Sequence, residues 1–138
     1  MFDTSTGTGS RALRRLREEQ LAWLTTVRRD GMPQPVPVWF LWEDGSFLIY
    51  TSSSAHKLKN IGSNPRVAMN LNSGADGNDI VRAEGRAGIL EDFPPPDEHP
   101  QYLEKYRRGM AFVSGDPESF ASYYSTAFRV TPERWQVW

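Results

Sequence analysis

The chain has 138 residues, of which 38% are hydrophobic and 24% are charged, and its net charge is −1 at pH 7. These values are typical of one globular domain, and the balance of charges argues against a nucleic-acid-binding protein, which would show clustered Lys and Arg. The absence of cysteine excludes disulfides and thiolate metal sites. No apolar run approaches the roughly 20 residues that span a bilayer. We therefore expect a soluble, cytoplasmic protein.

The first half of the chain predicts a helix followed by three antiparallel strands. Residues 1–10 are rich in Gly, Ser and Thr and are expected to form a disordered tail, so we place the domain at residues 11–138. The turn dipeptides Asp30-Gly31 and Asp44-Gly45 tolerate positive φ and indicate hairpins. The predicted elements are a helix at 11–20 and strands at 21–29, 35–43 and 46–51.

The predicted strand at 35–43, PVPVWFLWE, carries two different signals. Its apolar run is nearly continuous, which indicates burial on both faces. Pro35 and Pro37 lack amide donors, so the start of the strand should lie at a sheet edge or be interrupted.

The second half predicts two further strands, a helical pair and a closing strand. A helix should begin at Ser54 as its N-cap and end near Gly62, because Pro65 forbids its continuation. Gly85, Gly88 and Pro132 predict bulges or bends in their strands. The remaining predicted elements are strands at 66–72, 80–91 and 127–138 and helices at 101–113 and 116–126.

This order of elements predicts a mainly β fold with flanking helices. No strand–helix–strand alternation runs through the chain, which argues against a doubly wound parallel sheet. Six strands joined mostly by hairpins favour a small six-stranded antiparallel barrel.

Motifs for side-chain catalysis and for metal binding are missing. There is no Cys and no Gly-x-Ser-x-Gly elbow, and the two histidines, His56 and His99, lie beside a helix start and in a Pro-rich linker. No His-x-x-x-His or clustered carboxylate motif is present. We therefore predict no catalytic side chain and no metal ligand.

The stretch TSSSAHKLKN, residues 51–60, is the best candidate for an anion site. It lies between a strand and a helix start, where free backbone amides attract phosphate. Ser52 and Ser53 add hydroxyl donors, and Lys57 adds a charge. The alternative is that Ser54 only caps the helix while Lys57 and Lys59 are solvated. Local features by themselves favour the cap.

Trp39 and Trp42, on the second predicted strand, also allow two interpretations. They are core residues, since large aromatic side chains dominate protein cores, or they form the wall of a pocket for a flat ring. For either Trp considered singly, the core is favoured.

Taken in order, four motifs carry a family resemblance. They are DGxPxxxPVWF at 30–40, T-S-S-x-x-x-K-x-x-N-I at 51–61, the helix-ending Asn64-Pro65, and AEGRA at 83–87. The chain resembles the pyridoxamine 5'-phosphate oxidase-like split β-barrels, which are FMN-binding split barrels. Within them it is most similar to the deazaflavin (coenzyme F-420)-dependent reductases of actinobacteria. The resemblance covers roughly residues 20–92, and residues 101–138 fit one subgroup.

The resemblance implies a homodimer with two cofactor sites at its interface. The cofactor phosphate would lie at the turn after the third strand, with Lys57 as its cation. Hydroxyls or amides would come from Thr51, Ser52 and Ser53, and Asn60 would brace the turn. The ring would lie against Pro37, Val38 and Trp39. The other subunit would add contacts from the segment Asn78, Asp79 and Ile80.

The activity implied is hydride transfer from reduced coenzyme F-420 to a small, electron-poor organic substrate. A flavin-binding member would often present an Arg in its phosphate clamp, whereas this clamp has Lys and Ser, which favours the deazaflavin. The alternatives are an FMN-binding flavoprotein of the same fold, and a non-enzymatic protein that binds the cofactor or a tetrapyrrole.

Overall fold

The structure is a computed structural model that describes residues 1–138. Its helices are α1 (Gly7–Glu18), α2 (His56–Ser63), α3 (Pro100–Ser114) and α4 (Pro117–Tyr123). Its strands are β1 (Leu21–Val27), β2 (Pro33–Trp39), β3 (Leu41–Glu43), β4 (Ser46–Thr51), β5 (Arg66–Asn70), β6 (Val81–Ile89) and β7 (Thr126–Val137). None of the helices has the length and apolar character needed to cross a membrane.

All seven strands belong to one antiparallel sheet with the order β2-β1-β5-β6-β7-β4-β3. The two edge strands, β2 and β3, are separated in the chain by Phe40 alone. The sheet must therefore curl until its edges meet, which confirms the predicted mainly β antiparallel barrel with flanking helices.

The prediction of a single strand at 35–43 is wrong, because this segment forms two strands, β2 and β3. The sheet therefore has seven strands where six were predicted. The chain breaks at Phe40, whose N–H donates to the Tyr106 hydroxyl at 2.9 Å. The same hydroxyl lies 2.8 Å from the Phe40 carbonyl. Lys105 Nζ, also on α3, donates to the Phe40 carbonyl at 2.8 Å. Because side chains of this helix satisfy both backbone groups, Phe40 can leave the sheet, so β2 pairs with β1 while β3 pairs with β4.

The edge position of β2 is confirmed, but its predicted burial on both faces is wrong. Pro35 and Pro37 are exposed, and Val38 is the one buried residue of β2. The strand buried on both faces is β4. Its side chains alternate between two hydrophobic clusters, one inside the barrel with Phe47 and Ile49 and one beneath α3 and α4 with Leu48 and Tyr50.

The predicted irregularity at Gly85 and Pro132 is confirmed as a β-bulge, whereas Gly88 pairs with Arg129 in continuous register, so a bulge at Gly88 is wrong. Glu84 pairs with Arg134 and Gly85 pairs with Pro132, which leaves Glu133 without a partner across the ladder. A Cβ at position 85 would lie 2.2 Å from the Thr131 carbonyl oxygen, so only glycine fits where β6 approaches β7 at the bulge.

Two helix starts differ from the prediction. Helix α1 begins at Gly7, capped by Thr6, so residues 7–10 are helical where a tail was predicted. Helix α2 begins at His56 with Ala55 as its N-cap, and the predicted cap Ser54 is wrong. The Ala55 N–H donates to the Ser52 carbonyl at 3.1 Å, and this turn moves the helix start one residue past Ser54.

Candidate functional site

A cavity of about 230 Å³ opens between the sheet and the C-terminal helix pair. Seven of its ten lining residues are hydrophobic. Five of the predicted cofactor-binding residues, from three separate segments of the chain, meet on its wall. They are Pro37, Val38, Trp39, Thr51 and Lys57.

The C-terminal helices α3 and α4 supply much of the remaining wall of the cavity, and none of their lining residues was among the predicted cofactor-binding residues. Tyr102 and Val113 of α3, Phe120 of α4 and Tyr124 just after it all line the cavity. The signal for α3 was present in the spacing of its buried Tyr102 and Tyr106, since residues four apart share one face of a helix.

Lys57 is the one charged residue on the cavity wall. Its Nζ donates to the Thr51 hydroxyl at 3.3 Å, and it takes part in none of the ion pairs of the chain. Burial lowers the pKa of Lys57 below its ordinary value, because the charged form loses solvation. A half-buried cation without a carboxylate partner is a strong attractor for an anion.

The start of α2 adds backbone donors beside Lys57. No side chain accepts a hydrogen bond at its N-cap, Ala55, so the first amides of the helix keep no side-chain partner. Ser52 is half-buried and Ser53 is exposed, and neither lines the cavity. The predicted roles of these two serines toward a phosphate stay predictions.

Asn60 braces this segment against the sheet. Its Nδ2 donates to Thr26 Oγ1 and to Gln34 Oε1, both at 2.9 Å, and its side chain is buried. Since Thr26 lies on β1 and Gln34 on β2, the contact fixes α2, and with it Lys57, against the edge of the sheet.

The two tryptophans have different environments. Trp42 packs with Phe47 and Trp135 at the barrel core, with ring centroids 5.1 and 5.7 Å away. Trp39 lines the cavity but stacks nearly parallel on Tyr106 at 4.7 Å and on Phe120 at 5.3 Å. The ring of Trp39 is therefore held rigidly by the C-terminal helices, so that it combines both predicted roles, core residue and pocket wall.

Asn78 and Ile80 lie away from this cavity, in the connection between β5 and β6. The Asn78 carbonyl accepts from the Gly74 N–H at 2.7 Å, and Ile80 pairs with Trp138 through both backbone groups at 2.7 and 3.0 Å. Both residues were predicted to contact the cofactor of a second subunit, and that contact stays a prediction.

Lys57 also borders a second cavity, of about 530 Å³. It is bordered by Gln34 and Pro35 of β2 and by His56 and Asn60 of α2. Lys57 thus borders both cavities, and the second adds the polar side chains of Gln34, His56 and Asn60 to its wall, an arrangement suited to a ligand with a flat apolar part and an anionic part.

Known proteins are similar to this chain along most of its length. The profile of the family described as pyridoxamine 5'-phosphate oxidase matches residues 10–138. An F420H(2)-dependent biliverdin reductase from Mycobacterium tuberculosis is 31% identical over 110 residues, which are 78% of this chain and 78% of the relative.

Solved structures share the fold along nearly the whole chain. A structure named F420 reductase is 26% identical and superposes with a TM-score of 0.67, covering 95% of this chain and 97% of its own. HutZ, a heme storage protein from Vibrio cholerae, has a TM-score of 0.69 at 14% identity over 96% of this chain and 95% of its own, a likeness of fold alone.

Proposed function

The chain belongs to the pyridoxamine 5'-phosphate oxidase family, and we propose that it is a coenzyme F-420-dependent oxidoreductase. It would transfer a hydride from the reduced deazaflavin to a small, electron-poor organic substrate. Support comes from the relative at 31% identity and the structure at 26% identity, both named for F420-dependent reduction.

The observation that carries the proposal is the unpaired Lys57 on the wall of an apolar cavity. A cofactor with a phosphate and a flat conjugated ring needs one fixed cation and one apolar wall, and this cavity offers both. Without an anion, the partly desolvated charge of Lys57 is unfavourable, so the chemistry of the residues fits the group.

Each residue of the site has a distinct role under this proposal. Lys57 and the first amides of α2 hold the phosphate, while Thr51 and Asn60 orient the lysine and its helix. Pro37, Val38 and Trp39 support the ring. When bound, the deazaflavin supplies the hydride. The apolar wall excludes water, and no nucleophilic side chain is required.

Titration of the purified protein with deazaflavin and with FMN, followed by fluorescence, tests this proposal. We expect tighter binding of the deazaflavin, and tighter binding of FMN would overturn the choice of cofactor in favour of a flavoprotein of the same fold. Reduced cofactor is then offered with biliverdin, quinones and nitroaromatics. Binding without oxidation of the cofactor by any of them would indicate a carrier rather than an enzyme.

We also infer a homodimer with the cofactor sites at its interface. The cavity of about 230 Å³ in one chain is smaller than the roughly 300–1,000 Å³ typical of small-molecule sites. A second subunit would complete the wall, and the segment with Asn78 and Ile80 would be its contribution.

A further inference from the structure

Three tyrosines pack together under the cavity, and their hydroxyl groups differ in one respect. The ring of Tyr102 contacts that of Tyr50 at 4.7 Å and that of Tyr106 at 4.8 Å between centroids. The Tyr50 hydroxyl donates to the Pro94 carbonyl oxygen at 2.6 Å, and the Tyr106 hydroxyl lies 2.7 Å from the Gln20 carbonyl oxygen. The Tyr102 hydroxyl is buried and has no hydrogen-bond partner.

An unpaired buried hydroxyl is unusual, because folded proteins satisfy the great majority of such groups. Tyr102 is fully buried, at 0% relative exposure, and yet it lines the cavity. No protein group satisfies the hydroxyl, and a molecule in the cavity can become its partner once a neighbouring side chain of the wall shifts enough to uncover the oxygen.

The side chain of Tyr102 is also held in place. Its ring is packed between Tyr50 and Tyr106, and its backbone N–H donates to His99 Nδ1 at 3.3 Å. His99 is in turn held by Glu43 at 3.1 Å. Rotation of the ring would disrupt these contacts, so the position of the hydroxyl is fixed next to the cavity.

The Tyr102 hydroxyl remains protonated in this environment. Burial raises its pKa well above the usual tyrosine range, so it is a neutral hydrogen-bond donor and a poor acid. A neutral donor in an apolar cavity suits a neutral acceptor such as a carbonyl oxygen, whereas Lys57 suits the anion.

We propose that Tyr102 positions the ring of the bound cofactor by donating a hydrogen bond to a carbonyl oxygen of that ring. This inference rests on the proposed function, because a deazaflavin ring carries such oxygens. Lys57 would then hold the phosphate of the ligand, and Tyr102 would hold its ring.

Tyr102→Phe tests the inference in two ways. In the cofactor-free protein, removal of an unpaired hydroxyl should leave the unfolding temperature unchanged or raise it. Tyr50 donates its hydroxyl hydrogen to the Pro94 carbonyl, so Tyr50→Phe should instead lower the unfolding temperature.

In fluorescence titrations, Tyr102→Phe should weaken deazaflavin binding about three- to tenfold, as expected for one neutral hydrogen bond. Tyr123→Phe, at an exposed position, should leave the affinity unchanged.

These measurements distinguish a failure of the role of Tyr102 from a failure of the proposed function. Unchanged affinity in Tyr102→Phe, or an unfolding temperature lowered as much as in Tyr50→Phe, overturns the role of Tyr102 while the proposed function stands. If the wild-type protein binds FMN instead, the proposed cofactor fails, and the same variants titrated with FMN decide the role of Tyr102. If it binds neither, both proposals fail.

Discussion

At the scale of single residues, the site depends on a charge that the fold leaves unpaired. The chain pairs other cations, such as Arg11 and Arg15, which both contact Asp79. Lys57 has only the Thr51 hydroxyl. A lysine kept half-buried without an anion destabilises the free protein slightly, and an anionic ligand would reverse that effect.

Replacement of Lys57 by Ala should weaken cofactor binding roughly ten- to a hundredfold. The reason is that a charge-assisted hydrogen bond is worth about 1.5–3 kcal/mol. Dissociation constants from fluorescence titration provide the measurement. Lys59→Ala is the matched control, since Lys59 is exposed on the same helix. Equal constants for wild type and Lys57→Ala would remove this lysine from the site.

The affinity should also decline with rising pH. Because burial lowers the pKa of Lys57, the residue loses its charge at a pH below the ordinary lysine value of 10.5. Above that pH the neutral lysine no longer attracts the phosphate, so binding weakens. Lys57→Arg keeps its charge throughout this range, so its affinity should change little with pH. A pH series of titrations checks this, and the same decline in both proteins would contradict the assignment.

At the scale of elements, the junction of β2 and β3 depends on two side chains of α3, Tyr106 and Lys105, of which Lys105 donates to the Phe40 carbonyl at 2.8 Å. Tyr106 of α3 accepts from the Phe40 N–H and lies within hydrogen-bond distance of the Phe40 and Gln20 carbonyls. The same ring stacks on Trp39. Helix α3 therefore both permits the chain to leave the sheet at Phe40 and holds one wall of the cavity.

Tyr106→Phe should destabilise the protein by about 1–3 kcal/mol, because it leaves the buried N–H of Phe40 without a partner. Urea unfolding monitored by circular dichroism measures the change. Tyr123→Phe changes an exposed hydroxyl and should have little effect. A Tyr106→Phe protein as stable as wild type would show that another group satisfies Phe40.

At the scale of the whole molecule, the sheet curls into a barrel whose edge strands, β2 and β3, are joined through Phe40 and are not paired by hydrogen bonds. The edges of the sheet meet through Phe40, and two hydrophobic clusters cover both faces of β4. The cavity beside Lys57 remains accessible, and its small volume calls for a further wall.

Light scattering at micromolar concentration should give a mass of twice the 15.7 kDa of one chain. The expectation follows from the incomplete cavity and from the predicted contribution of Asn78 and Ile80 by a second subunit. If dimerisation completes the site, cofactor affinity should fall when the protein is diluted below its dimer dissociation constant. A monomer that binds cofactor at full affinity would contradict this arrangement.

Local patterns predicted most of the elements because their signals lie close together in sequence. The Asp-Gly turns have positive φ at Gly31, Asp44 and Gly45, and the bulge lies at Gly85 as predicted. The Ser54 cap failed because a turn and a helix start compete for the same residues. The break at Phe40 could not be predicted, since the group that causes it is 66 residues away.

The sequence alone was enough to predict the hairpin turns, most of the strands, the family, and the three segments that carry Pro37, Thr51 and Lys57. These are properties of residue type and short-range spacing. The folded structure was needed to show that the three segments meet on one cavity, that Trp39 is held by α3 and α4, and that the Tyr102 hydroxyl has no partner. The physical reason is that burial and hydrogen-bond satisfaction depend on partners from distant parts of the chain, which the folded barrel brings together.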